Sequence, residues 1–170
     1  MFGWGVTKFN RAHKAVMATL PMFIKHTQER LGSFSVNSNS PFVVGYITVF
    51  SSEIAIAKVA TISDTDLGLL QTTVFADIFN CDKIEIGERI SFLSAKNDPD
   101  FLLGCHKAYD FSRNLFSVVH ISEIIEFNKS RHLQLEYAGA GNQGLDNPLF
   151  DGPQRENLYY QWIDSFEGHL

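Results

Sequence analysis

The chain is short of the residues that usually advertise a special chemistry. Its two cysteines, Cys81 and Cys105, form no C-x-x-C pattern. That excludes a disulfide framework and a cysteine-rich metal site, and a reducing, cytoplasmic setting is the expectation. Acidic side chains are almost missing from the first third: residues 1–52 carry five Lys or Arg against Glu29 alone, a balance of +4. Residues 53–100 then carry nine acids against four bases and residues 101–170 nine against five, giving −5 and −4. With a total of −5 and no clustered positive face, nucleic acid is excluded as a partner of the whole domain. Long apolar runs are missing too. The longest, Pro41–Phe50, soon meets Glu53 and Lys58, whereas a membrane span needs about 20 residues, so no membrane partner is expected. The basic-then-apolar opening "KFNRAHKAVMATLPMFIKH" imitates an export leader but lacks a small-x-small cleavage site.

What is present is apolar and aromatic. At 170 residues with 45% hydrophobic content and 15 Phe, one ordinary domain with a packed core is expected, covering residues 1–170. Residues 1–9 read as a loose N-terminal segment. Phe9, Val16, Leu20, Phe23, Ile24 and Leu31 then share one stripe of a helix from about Asn10 to Leu31, which Pro21 should kink or split. In "SPFVVGYITVFSSEIAIAKVA", Ser40 and Pro41 make a favourable helix start and the first half is apolar all round, as in a central helix. Its Val, Ile and Thr keep a strand over Pro41–Phe50 as the rival reading.

Capping boxes at Ser63/Asp66 and Asp82/Glu85 open two more helices, and Asp98-Pro99 opens another. "SVVHISEIIEFNKSRHLQL" continues with Val118, Ile121, Ile125 and Asn128 on one face, and Pro153 opens a last helix carrying Leu158, Trp162 and Phe166. The expected fold is therefore all-α: one compact, irregular bundle of six to eight helices. "PFVVGYITVF" and "PDFLLGCHKAY" share Pro, Phe, two aliphatics and Gly some 59 residues apart. A close helix crossing at Gly45 and Gly104 would explain this, but two short copies do not make a repeat, and chance is the preferred reading.

Four constellations could carry function. Gly139, Gly141 and Gly144 have G-x-G-x-x-G spacing with Asp164 twenty residues on, but Asn147, Pro148, Gly152 and Pro153 forbid the helix that must hold the pyrophosphate. Residues 138–152 are thus read as a glycine-rich loop, with no nucleotide or other cofactor. The H-x-x-E pairs His26/Glu29 and His120/Glu123 have ligand chemistry, yet the first faces away from its helix's apolar stripe and the second reads as a packing histidine; no metal is expected. Cys105 and His106 are adjacent, hence about 100° apart on a helix, so His106 is a poor base for that thiol. The acid-rich middle offers Asp77, Glu85 and Glu88 as an acidic recognition patch: Asp77 falls mid-helix, Glu88 follows the first turn of its helix, and Glu85 is shared with its capping box.

Two function classes follow. The first is a small protein-binding module, in its sharpest form an immunity-type inhibitor that neutralises a basic toxin or nuclease domain by direct binding, with no enzymatic activity. The second is a small helical enzyme or ligand-binding protein using His13, His106 or His120 with a nearby carboxylate.

Overall fold

The computed structural model describes residues 3–31, 37–126 and 153–166. Seven helices and no strand are present among them: α1 (Gly3–Leu31), α2 (Pro41–Val59), α3 (Asp64–Phe79), α4 (Lys83–Ala95), α5 (Pro99–Val118), α6 (described over 121–126) and α7 (Pro153–Phe166). The all-α expectation holds, and Pro41–Phe50 is helix, not strand. The glycine-rich segment 138–152 and Asn128 lie outside the described residues.

Helix α2 is the hub. From Phe42 to Phe50 every residue except Val49 is buried, so its surface must be covered all round. The covering helices follow one another in a ring. Helix α1 packs on α3, α3 on α4, α4 on α5 and α5 on α7. Trp162 of α7 closes the ring by donating its indole N–H to Thr27 of α1. By length and composition α2 is the one described helix apolar enough to cross a membrane, and here that apolar surface is spent on the bundle core.

The tightest contact is between α2 and α5. A Cβ built on Gly45 would lie 2.2 Å from the Phe101 carbonyl oxygen, and one on Gly104 would lie 2.1 Å from the Phe42 carbonyl oxygen. Each glycine therefore meets the carbonyl three residues before the other glycine. The geometry is reciprocal, and it leaves room only for Cα–H···O contacts. The two helices run in the same sense, since Phe50 meets Phe111 at 5.4 Å beyond the crossing. The two glycines shared by "PFVVG" and "DFLLG" thus have a packing reason, since each lets a carbonyl of the other helix approach, whereas the aliphatic pairs differ in role: Val43 and Val44 are buried and Leu102 and Leu103 exposed.

Around this crossing sits an aromatic cluster. Trp162 lies 4.9 Å from Phe23, 5.1 Å from Tyr46, 5.4 Å from Phe50, 5.3 Å from Phe111 and 4.8 Å from Phe166, centroid to centroid. Leu158, Trp162 and Phe166 are all buried, as their spacing predicts. The hydroxyls of Thr19, Thr27, Ser51, Ser52 and Ser112, buried on the helices, donate to carbonyls four residues back. They thereby escape the cost of unpaired polar burial. Tyr46 and Thr48 are the counter-cases, with buried hydroxyls that lack a hydrogen-bond partner within bonding geometry among the described residues, and burial pushes the Tyr46 phenol well above the usual range.

Three local expectations need correction. Residues 3–9 belong to α1, which already begins at Gly3, and Lys8 donates to Thr61 at 2.8 Å, tying this turn to the bundle. Helix α1 is also not split at Pro21, running on through it to cover 29 residues in all. The buried neighbours Leu20, Phe23 and Ile24 anchor the turn that Pro21 deprives of a hydrogen bond. Finally, α5 does not continue through His120. It stops at Val118, and Val119 turns extended before α6 begins.

Replacing Gly104 by Ala should force backbone apart from backbone, with a loss at or above the ~1–3 kcal/mol of ordinary overpacking. Gly68, in α3, has nothing within 4 Å of the place a Cβ would take, so Gly68→Ala should stabilise by ~0.5–1 kcal/mol. Urea denaturation of the two variants should move the midpoint in opposite directions. Trp162→Ala should lose ~3–5 kcal/mol, a large share of the ~5–15 kcal/mol a domain commonly has, and would be seen as a sharply lowered midpoint.

Candidate functional site

The residues expected to serve recognition separate into two places. Glu85 and Glu88 stand together on α4, where with Arg89, Phe92 and Leu93 they line an open groove of about 520 Å³. Asp77 is elsewhere: its Oδ2 lies 3.0 Å from His13 Nε2, pinning α3 to α1. The acidic trio is therefore a pair plus a separate ion-pair partner.

Helix α4 is built as a half-committed element. Asp82 caps it, accepting from the backbone N–H groups of Ile84 and Glu85 at 2.8 and 3.0 Å. The Glu85 side chain does not return the bond that a full capping box would make, and so its carboxylate stays outward. Ile86 and Leu93 are buried on the inner face. On the outer face Ile84 is 73% exposed and Phe92 56%, with Glu88 between them one turn from each. Lys96 lies over the Phe92 ring at 4.2 Å, giving this face an acidic N-terminal end and a basic C-terminal end.

Arg89 decides the charge of the groove. Its guanidinium does not take Glu85 or Glu88; it donates to the Asn39 side-chain carbonyl at 2.9 Å and to the Asn39 backbone carbonyl. Asn39 belongs to the turn that leads into α2, and Asn37 accepts from the Asn39 N–H at 3.0 Å. The adjacent cation is thus spent on holding α4 to the α2 entry. Neither Glu85 nor Glu88 has an ion pair or side-chain hydrogen bond among the described residues.

The three candidate histidines occupy three different places. His13 is half-exposed, paired with Asp77 and stacked on Phe9 at 6.2 Å. His106 projects from the exposed side of α5. His120 is exposed at the start of α6, where Nδ1 faces Ser122 Oγ at 2.6 Å and accepts the Ser122 N–H at 3.3 Å. Its own backbone N–H donates to Glu123 Oε1 at 3.2 Å. His120/Glu123 is therefore a capping box with histidine in the Ncap place, not a pair on a helix face. The spacing of a capping box and that of a same-face pair are both i, i+3, which is why sequence alone does not separate them. The side chains of His26 and Glu29 lie outside those described.

Both thiols are held above their ordinary range, which disfavours the thiolate form. Cys105 is half-buried with Sγ donating to the Gly45 carbonyl at 3.6 Å, and burial pushes its thiol up to about 11. Cys81, exposed between α3 and α4, is raised by partial desolvation and then by the Glu85 and Asp82 carboxylates. No group of three or more metal-ligating side chains occurs among the described residues.

Sequence reasoning passed over Glu53. It sits on α2 with a half-buried carboxylate, and desolvation raises it from its ordinary value. A folded-state value above the unfolded one means that folding favours the protonated acid. That favour is complete below the unfolded value near pH ~4.3 and is lost as pH rises through the folded value. Glu53→Gln should therefore raise the melting temperature at pH 7, and the gain over the parent should fade on acidification to about pH 4. Melting curves across that range check it.

No known family model, curated protein or solved structure matches the chain, so its function is read from these surfaces.

Proposed function

We propose that this is a protein-binding module whose working surface is the outer face of α4. Its sharpest form is an immunity-type inhibitor that neutralises a basic toxin or nuclease domain in the cytoplasm by direct binding. One observation carries the reading: Ile84 and Phe92 stand exposed beside Glu85 and Glu88, whose charges have no partner among the described residues. Burying such a side chain contributes about 1.5–3 kcal/mol, which the fold leaves unclaimed at both positions. An aromatic anchor flanked by charge is the usual composition of an interface centre. The carboxylates favour Lys and Arg on the partner and repel phosphate, in line with a protein and against nucleic acid.

The competing enzyme reading has the His13–Asp77 pair in its favour, at 3.0 Å. An imidazole oriented by a carboxylate is two-thirds of a nucleophilic site. The pair joins α1 to α3, however, and His106 and His120 do not converge on it. The binding module is the better account.

Immobilised protein should retain a basic protein from an extract of its own host. Ile84→Ser with Phe92→Ser should weaken retention at least roughly tenfold, since two anchors are removed. Glu85→Gln with Glu88→Gln should slow association, with the difference shrinking as salt rises and screens charges beyond ~8 Å. Asp77→Asn should leave association unchanged. Retention indifferent to all four α4 substitutions overturns the assignment, and a turnover abolished by His13→Ala would favour the enzyme.

A further inference from the structure

We propose that the α4 face also accepts a second copy of this chain, through the basic outer face of α1. The inference rests on reading α4 as a docking surface. Helix α1 exposes Arg11 and Lys14, and neither has an ion pair or side-chain hydrogen bond among the described residues. Helix α4 exposes Glu85 and Glu88 in the same condition. The two sets have opposite sign. Within one chain they are kept apart by α3, which packs between α1 and α4 in the ring around α2. Their pairing therefore takes two molecules.

The spacing is complementary as well. Arg11, Lys14 and Ala18 fall at i, i+3 and i+7, and so do Glu85, Glu88 and Phe92. Positions so spaced share one face of a helix, with the two charges about 4.5 Å apart along the axis. Laid side by side in the same sense, the helices set Arg11 against Glu85 and Lys14 against Glu88. The same register brings Met17 and Ala18, both half-exposed, to the Phe92 ring. The opposite sense would bring Thr7 to Phe92 instead, so the parallel arrangement buries more apolar surface. Lys96, over Phe92, then lies near Pro21 and Met22 and meets no cation from α1. The contact is heterologous: each copy uses its α1 on one neighbour and its α4 on another, so growth continues past the dimer unless a ring closes.

Sedimentation velocity on the full chain tests this with a charge swap. The wild type should show a weight-average mass that rises with protein concentration at low salt and falls at high salt. Arg11→Glu with Lys14→Glu, and separately Glu85→Lys with Glu88→Lys, should each weaken self-association by roughly tenfold or more, since both charge pairs become repulsive. An equimolar mixture of the two variants should regain it, as should one chain carrying all four substitutions. Circular dichroism melts confirm that each variant is folded. A wild type that stays monomeric at all concentrations, or swapped variants that associate as the wild type does, overturns the proposal. Partner retention that still depends on Ile84 and Phe92 would, in that event, leave the binding-module reading intact.

Discussion

The contact on which the rest of the molecule depends is the approach of two backbones, with Gly45 against the Phe101 carbonyl and Gly104 against the Phe42 carbonyl. A methyl group at either place would stand about 2 Å from an oxygen. Phe50 and Phe111 meet beyond the crossing, and Trp162 and Phe23 fill the space beside them. Helix α7 is then held by its Trp, and the Trp162–Thr27 bond fixes α1 to the opposite end of the ring. One pair of glycines sets the spacing to which all of these aromatic contacts are fitted.

The proposed working face lies on α4, whose outer side no neighbouring helix covers among the described residues. Helix α4 contributes Ile86 and Leu93 to the core, packs the partly buried Ile90 against it, and turns its remaining large side chains outward. Its attachment leans on Arg89, which reaches across to Asn39 and so leaves two carboxylates unneutralised beside two exposed apolar side chains. A fold that spends its local cation on structure keeps a face that a basic partner can complete. The His13–Asp77 pair works the other way: it takes an acid out of the surface field and spends it on joining α1 to α3.

Much of the architecture was legible because helix periodicity and helix starts have local causes. The caps Ser63, Asp82 and Asp98 each accept first-turn N–H groups, though Glu85 does not complete its box, and the i, i+4, i+8 set of α7 is buried in full. What was not legible depends on residues far apart in the chain. Nothing near Gly45 says that the Phe101 carbonyl will come to it, and nothing near Asp77 announces His13, 64 residues away. The helix break at Val119–His120 was hidden by a run of apolar residues that suits both one long helix and two short ones. At the proposed site, Glu85 and Glu88 were named from the acid-rich run of the sequence, and the structure places the two together on α4. Ile84 and Phe92 were missed, because an amphipathic pattern marks which residues can be buried and not which of them a neighbour will cover.

Native-state hydrogen exchange distinguishes a rigid centre at the α2–α5 crossing from a lightly held α4. The amides from Gly45 to Phe50 and from Gly104 to Phe111 should exchange slowest, only through global unfolding, while those of α4 from Ile86 to Leu93 open locally at lower free energy. Protection of α4 equal to that of α2 and α5, or fast exchange at the crossing, would contradict the account.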